Sequence, residues 1–132
     1  MTRDGDLARI LRKHLPTIDW QPIETRGSTG TGIPDLNYCD DGHEGWIELK
    51  KVRGNRVLLT PEQATWAHRR RRNGGRALVM ARRQRKIDEL YVWDGLAAHE
   101  VRVGGIKAPP LLLTGGGPAG WDWLEIRRLM RL

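Results

Sequence analysis

The sequence has one cysteine, no phenylalanine and no long apolar run. Cys39 alone cannot form an internal disulfide, and it argues against a zinc ribbon or zinc finger. No stretch approaches the roughly 20 apolar residues that span a bilayer. The first ten residues also lack the apolar core of a signal peptide. These absences predict one soluble, intracellular domain, since 132 residues can bury a modest core but not two.

The charge of the chain is strongly asymmetric. The formal net charge is +7 and the pI is near 10.3. Residues 1–48 hold five Lys or Arg against nine Asp or Glu, whereas residues 49–132 hold eighteen against seven. An acidic half that holds a cation and a basic half that holds phosphates would suit a nucleic-acid partner. A merely basic, soluble surface is the alternative, because net charge constrains solubility and association rather than fold.

Hydrophobic periodicity, glycines and prolines divide the chain into alternating helices and strands. The order predicts an α/β or α+β domain with a mixed sheet and flanking helices, with a core over about residues 4–94 and a C-terminal extension over 95–132. The predicted elements are a helix over 4–14, strands over 20–25, 33–39 and 45–52, a helix over 61–72, strands over 76–81 and 89–93, a short strand over 99–103, a loop over 108–120 and a helix over 121–132.

The pair Asp41-Gly42 predicts a tight hairpin turn between the second and third strands. A two-residue loop pairs Asp40 with His43 and, further along the ladder, Asp35 with Glu48. Directly opposed residues share a face. Turn chemistry and solubility suffice to explain Asp40 itself, together with Asp41 and Glu44.

Two carboxylates that face each other form a candidate binding site for a cation. Asp35 and Glu48 would repel each other unless a cation sits between them. Lys50 follows Glu48 by two residues and therefore points to the same face, where it could orient a water or stabilise a developing oxyanion. The carbonyl of Leu49 is a further candidate ligand, because hard cations such as Mg²⁺ prefer oxygen.

These residues resemble the PD-(D/E)XK nuclease superfamily, through Pro34-Asp35 followed by Glu48-Leu49-Lys50. With the surrounding GIPDL, WIELK and LTPEQ segments, the match is similar to the virus-type replication-repair nuclease branch (VRR-NUC), common in phages and related to Holliday-junction resolvases. It covers about residues 23–80. The resemblance implies a restriction-endonuclease-like core and DNA hydrolysis dependent on Mg²⁺, with Mn²⁺ as a substitute. It further implies that Asp35 and Glu48 bind metal, that Lys50 is catalytic, and that Gln63 supports the site.

The upstream metal ligand is the point where the sequence departs from the family. Many relatives carry a glutamate on the first helix, where this chain has only Asp4 and Asp6. Glu24 is the better candidate, and its alternative is a surface glutamate on a strand. Asp6 suits a helix N-terminus. Gln63 likewise has two interpretations, as a site residue or as the third position of a capping box begun by Thr60.

Clustered arginines in the second half predict a phosphate track. Cations at the end of a helix also complement its dipole, but four in a row exceed that need. No base-reading motif is evident, so recognition of backbone or DNA shape is favoured. The tryptophans could stack on unpaired bases but are better explained as core aromatics. The candidate DNA-binding residues are Arg26, Lys51, Arg53, Arg56, Arg69, Arg70, Arg71, Arg72, Arg82 and Arg83.

The sequence thus favours a metal-dependent endodeoxyribonuclease, selective for branched or single-stranded DNA and acting in phage replication, recombination or repair. A phage-encoded enzyme would act in the cytoplasm of its bacterial host. Similarity to resolvases suggests a homodimer. The alternatives are a catalytically idle DNA-binding module and a phage assembly or packaging protein.

Overall fold

The residues that the structure describes form a mixed α+β domain in which one seven-stranded sheet is flanked by four α-helices. The computed structural model describes residues 4–24 and 32–132. The helices are α1 (Asp4–His14), α2 (Pro61–Arg72), α3 (Ala98–Gly104) and α4 (Trp123–Met130). The strands are β1 (Asp19–Pro22), β2 (Leu36–Asp40), β3 (His43–Arg53), β4 (Arg56–Val57), β5 (Ala77–Gln84), β6 (Asp88–Asp94) and β7 (Leu112–Thr114).

The sheet is mostly antiparallel, with one parallel pair at its centre. Its order is β1-β2-β3-β5-β6-β7, and β4 pairs with the end of β3. Strands β3 and β5 run parallel, and α2 lies between them in the chain. Parallel neighbours require a crossover connection, and a helix usually provides it. This architecture agrees with a restriction-endonuclease-like core.

Each face of the sheet carries its own hydrophobic cluster. Helices α1 and α4 cover one face, where they pack on Leu36, Ile47 and Leu49. Helices α2 and α3 cover the other face, against Val79 and Trp93. Alternation along β3 therefore sends odd-numbered residues to the α1–α4 face and even-numbered residues to the α2–α3 face. The prediction that Leu36, Ile47 and Leu49 point into the core is confirmed.

The hairpin between β2 and β3 has the predicted register. Asp40 pairs with His43, and the ladder continues to Leu36 opposite Ile47. Asp41 and Gly42 form the loop with φ of 53° and 87°. Positive φ at both central residues is the geometry of the turn that Asp-Gly favours. The two-residue loop thus fixes which side chains share a face.

Helix α2 begins and ends where the sequence predicts. Thr60 is the N-cap, Pro61 occupies the first turn, and Gln63 completes a capping box. The backbone N–H of Asn73 bonds to the last-turn carbonyls, and Gly74 follows with φ of 93°. The capping groups satisfy backbone N–H donors that would otherwise lack partners, which explains the sharp start.

The region after residue 95 differs from prediction in two places. Residues 99–103 were expected to form a strand, but they lie in α3, because Ala98 and Val101 fall at helical spacing and pack in the α2–α3 cluster. The expected loop over 108–120 contains β7, which pairs with β6 and forms an edge of the sheet. Ladder bonds and tertiary burial outweighed weak local preferences here.

Asp40 was expected to be a simple turn residue, but its side chain has a structural role. Its side chain is 2% exposed, and it accepts two hydrogen bonds from Arg127 at 2.8 Å each and two from Arg131 at 2.9 and 3.0 Å. These bonds hold the pKa of Asp40 far below its usual range. The carboxylate therefore ties the hairpin to α4, and the C-terminal extension completes the core instead of standing apart from it.

In the described ranges, 4–24 and 32–132, no helix is both long and apolar enough to cross a membrane.

Candidate functional site

The predicted acidic site lies on the α2–α3 face of the sheet, at the end of β2. Glu48 and Lys50 are even-numbered residues of β3, so their side chains project from this face as neighbours. The neighbouring residues Trp46 and Val52 pack against the α2–α3 cluster, which confirms the direction of the alternation. The apolar residues between them fill the opposite face, so a single strand contributes both to the core and to the site.

Asp35 reaches the site through its side chain and not through the ladder. The regular pairing of β2 ends at Leu36, and Asp35 lies in a bend immediately before it. Its Oδ2 accepts a hydrogen bond from the backbone N–H of Leu49 at 2.9 Å. Its carbonyl accepts another from the N–H of Ile23 at 2.8 Å. The aspartate therefore links Ile23, just after β1, to Leu49 in the middle of β3, the residue next to Glu48.

Glu48 is held from two directions in a largely enclosed position. The residue is 3% exposed. Its Oε2 accepts a hydrogen bond from Nε2 of Gln63 at 3.3 Å and lies 3.8 Å from Nζ of Lys50. The Lys50 side chain is 15% exposed, so its ammonium group retains limited contact with solvent. The arrangement fixes one carboxylate oxygen beside a cation near the surface.

The stability of the folded protein does not explain why the ion pair between Glu48 and Lys50 is buried. At 3.8 Å two unit charges attract by about 4 kcal/mol for an effective dielectric constant near 20. Burying each ion costs several kcal/mol, which roughly cancels that gain. Replacing such a pair with apolar side chains is often neutral or stabilising. A role in binding or chemistry therefore explains the pair better than stability does.

Gln63 completes the predicted capping box and also contacts Glu48. Its Oε1 accepts the backbone N–H of Thr60 at 2.9 Å, and its own N–H donates to Oγ1 of Thr60 at 3.1 Å. The remaining amide nitrogen donates to Glu48. Because the side-chain oxygen of Gln63 accepts the hydrogen bond of the cap, only its NH₂ group can face the carboxylate of Glu48. The capping box thus orients the residue that holds Glu48.

Gly32, the last residue of the glycine-rich segment 26–32, contacts the start of α2, and the sequence did not predict this contact. Its φ is +71°, and a side chain here would overlap the carbonyl of Glu62 and approach N of Gln63. Only glycine allows this approach. The clue in the sequence was the glycine two residues before Pro34, but its partner could not be inferred. The rest of the segment, including Arg26, lies outside the described residues.

The donor atoms suit a hard divalent cation that keeps much of its water. Asp35 and Glu48 offer carboxylate oxygens. Leu49 offers its backbone carbonyl, which points to the same side of β3 as its N–H and therefore toward Asp35. No group of three or more His, Cys, Asp or Glu that could hold a metal occurs within the described ranges. Two carboxylates with water and substrate phosphate are an ordinary set for Mg²⁺. The residues therefore fit the ion implied by the resemblance.

The two candidates for an upstream ligand do not complete a three-carboxylate group. Glu24 is exposed after the end of β1. Asp6 lies on α1, which packs on the opposite face of the sheet, and its Oδ1 is 3.0 Å from Arg9. The sheet therefore separates Asp6 from Glu48.

The predicted basic residues do not form one continuous track. Lys51 and Arg82 are direct partners in the register of β3 and β5, on the face opposite Lys50. Arg82 also forms two hydrogen bonds to Asp88, at 3.0 and 2.6 Å. These two side chains are therefore remote from a phosphate held at Glu48.

The remaining predicted cations within the described residues differ in their pairing. Arg71 is bonded to Asp94 at 2.9 Å. Arg83 lies 3.7 Å from Glu89, and it shares the face of Lys50. The predicted cations that are exposed are Arg53 at the end of β3, Arg56 in β4, and Arg69, Arg70 and Arg72 at the end of α2.

No protein-family model matches the chain, and a search of curated proteins finds no relative.

Proposed function

We propose that this protein is a metal-dependent endodeoxyribonuclease of the PD-(D/E)XK type, which hydrolyses phosphodiester bonds in DNA. The observation that carries the proposal is the enclosed Glu48 carboxylate, held by Gln63 and Lys50 next to Asp35. Three features support it further. They are the position of the site at the end of a strand pair, the exposed arginines of α2, and the formal charge of +7.

The chemistry follows from the charges that hydrolysis creates. Water forms a new P–O bond as the ester P–O bond breaks, and the leaving oxygen takes up a proton. Negative charge accumulates on the phosphoryl oxygens on the way. The ammonium group of Lys50 can donate to one of those oxygens or orient the attacking water. Glu48 keeps this ammonium close, and Gln63 prevents the carboxylate from turning away.

The bound divalent ion would be held by Asp35, Glu48 and the carbonyl of Leu49. When bound, it supplies Lewis-acid stabilisation of the phosphoryl oxygens and lowers the pKa of a coordinated water. The hydrogen bond from the N–H of Leu49 leaves the other oxygen of Asp35 for this purpose. The enclosed position of Glu48 limits competing water and strengthens each of these interactions.

The test is cleavage of labelled single-stranded, branched, nicked and duplex DNA with Mg²⁺, with Mn²⁺ or with EDTA. Asp35→Asn, Glu48→Gln and Lys50→Ala should each lower the rate by at least a hundredfold, the usual scale for a group that stabilises the transition state. Asp35→Asn should still bind DNA. EDTA should abolish cleavage by the wild type.

Matched controls separate the site from the rest of the surface. Glu100→Gln changes an exposed glutamate of α3, which covers the same face of the sheet, and Lys107→Ala removes an exposed lysine after α3. Both should cleave at close to the wild-type rate. If Asp35→Asn and Lys50→Ala cleave as fast as the wild type, the chemistry lies elsewhere. A wild type that binds every substrate but cuts none supports the idle DNA-binding module instead.

A further inference from the structure

Two tryptophans and an arginine lie together on the face that carries Glu48. Trp46 precedes Glu48 by two residues on β3, so it leaves the same face about 7 Å away. Trp66 of α2 meets it edge-to-face, with ring centroids 5.3 Å apart. The guanidinium carbon of Arg70 lies 4.6 Å from the Trp66 ring and 5.8 Å from the Trp46 ring. We call these three residues the tryptophan–arginine cluster.

The position of Arg70 is set by the fold. Its side chain crosses Gly75, where a Cβ would overlap Cδ of Arg70, and the N–H of Gly75 donates to the Arg70 carbonyl at 3.0 Å. Trp66 is 6% exposed, whereas Trp46 is partly exposed and Arg70 is exposed. The guanidinium group of Arg70 therefore lies against the two indole rings while the residue stays open to solvent.

A planar guanidinium group held against indole rings, beside a partly exposed indole, is suited to stacking of a nucleobase. Unpaired bases stack on aromatic rings and on arginine planes, largely without regard to sequence. A base within a duplex already has stacking partners and cannot reach such a surface. The cluster would therefore act only on DNA with unpaired bases.

The charges around the cluster restrict where the strand can run. Arg69 and Arg72 are exposed at the same end of α2 and attract phosphates. Glu44 and Asp19 are exposed beyond Trp46, toward the hairpin end of β2 and β3, and they repel phosphates. A strand bound at Glu48 would thus pass along α2 and end near Trp46.

We propose that the tryptophan–arginine cluster is a stacking platform for an unpaired base next to the scissile phosphate, which makes single-stranded DNA the preferred substrate. This inference rests on the proposed nuclease function, because that function places the strand at Glu48. The competing explanation is a cation–π contact that only stabilises α2 on the sheet, as occurs in many proteins.

The test compares binding of a labelled single strand with binding of a duplex that has the same number of phosphates, in EDTA so that no cleavage occurs. Arg70→Lys keeps the charge but removes the plane, and it should weaken single-strand binding about tenfold, the scale of one stacked base. Duplex binding should change less than twofold. Arg102→Lys, at an exposed arginine of α3 outside the cluster, is the matched control and should leave both affinities unchanged.

Trp46 provides a second pair of variants. Trp46→Ala should cause a similar loss that is specific for single strands, and Trp46→Phe should restore most of it. Thermal melting of each variant checks that the fold is retained. The platform is overturned if the variants lose affinity equally for single strand and duplex. It is also overturned if one of Arg70→Lys and Trp46→Ala causes no loss of affinity for the single strand.

The outcomes distinguish this inference from the nuclease proposal. A protein that cuts no DNA but loses single-strand binding selectively in Arg70→Lys has the platform without the nuclease. A protein that cuts DNA with Mg²⁺, and whose preference for single strands is unchanged in both variants, is a nuclease without the platform.

Discussion

The link between Asp40 and α4 offers the sharpest test of the fold. Asp40→Asn keeps the shape of the side chain and removes its charge. Four hydrogen bonds of 2.8 to 3.0 Å then lose their carboxylate acceptor. A hydrogen bond to a charged group contributes about 1.5–3 kcal/mol. The four bonds are not additive, because they share one carboxylate and because the side chains of Arg127 and Arg131, 36% and 35% exposed, can be rehydrated.

We therefore expect Asp40→Asn to lower the free energy of unfolding by about 2–4 kcal/mol at pH 7. The assay is urea denaturation followed by circular dichroism, with an unchanged m-value as evidence that only stability has changed. Asp41→Asn is the matched control. Asp41 is the exposed neighbour in the turn, with φ of 53°, which asparagine tolerates. It should change stability by less than about 0.5 kcal/mol.

The pH dependence provides an independent check with a defined sign. The hydrogen bonds from Arg127 and Arg131 hold the pKa of Asp40 far below that of an unfolded aspartate, about 3.9. Its stabilising contribution is therefore complete above about pH 5 and is lost progressively as the pH falls below about 4. The difference between wild type and Asp40→Asn should be constant from pH 5 to 8 and should shrink in acid. A loss below 0.5 kcal/mol at pH 7, or an equal difference at pH 7 and pH 2.5, would refute the reasoning.

Three further predictions concern the site and its surroundings. Gly32→Ala should displace the start of α2 and reduce both stability and cleavage, whereas Gly54→Ala, with φ of 64° but open space around it, should cost only about 1 kcal/mol and leave cleavage unchanged. Thr60→Ala removes the cap that orients the site glutamine, so we expect a loss of about 1 kcal/mol in urea denaturation and a lower kcat, and a normal kcat would contradict the coupling. Arg69→Ala should weaken DNA binding and reduce its salt slope by about one, measured by fluorescence anisotropy, while Arg82→Ala should mainly destabilise the fold because its partner is an aspartate and not a phosphate.

The local signals in the first two thirds of the chain predicted their elements well. The Asp41-Gly42 turn set the register of β2 and β3, because a two-residue loop with positive φ leaves little freedom in pairing. Thr60-Pro61 set the start of α2 through hydrogen bonds within a single turn of chain. Both features depend on neighbouring residues only. The shared face of Glu48 and Lys50 followed from strand alternation alone.

Contacts between distant segments could not be predicted in the same way. The role of Asp40 depends on Arg127 and Arg131, which lie 87 and 91 residues further along the chain, and no residue near the turn indicates this pairing. Residues 99–103 form a helix only because α2 and the sheet bury Ala98 and Val101. The extension after residue 95 therefore contributes a sheet edge and a core helix that local patterns could not assign.

What the sequence determined by itself was the strand that carries the site, the helix above it and the identity of the charged groups, because these follow from spacing along a few residues. Tertiary structure alone decided how those groups are used. It turned the side chain of Asp35 toward the N–H of Leu49, and it brought the NH₂ group of Gln63 to Glu48. The physical reason is that hydrogen bonding and burial depend on what packs opposite each residue, and only the folded chain supplies that partner.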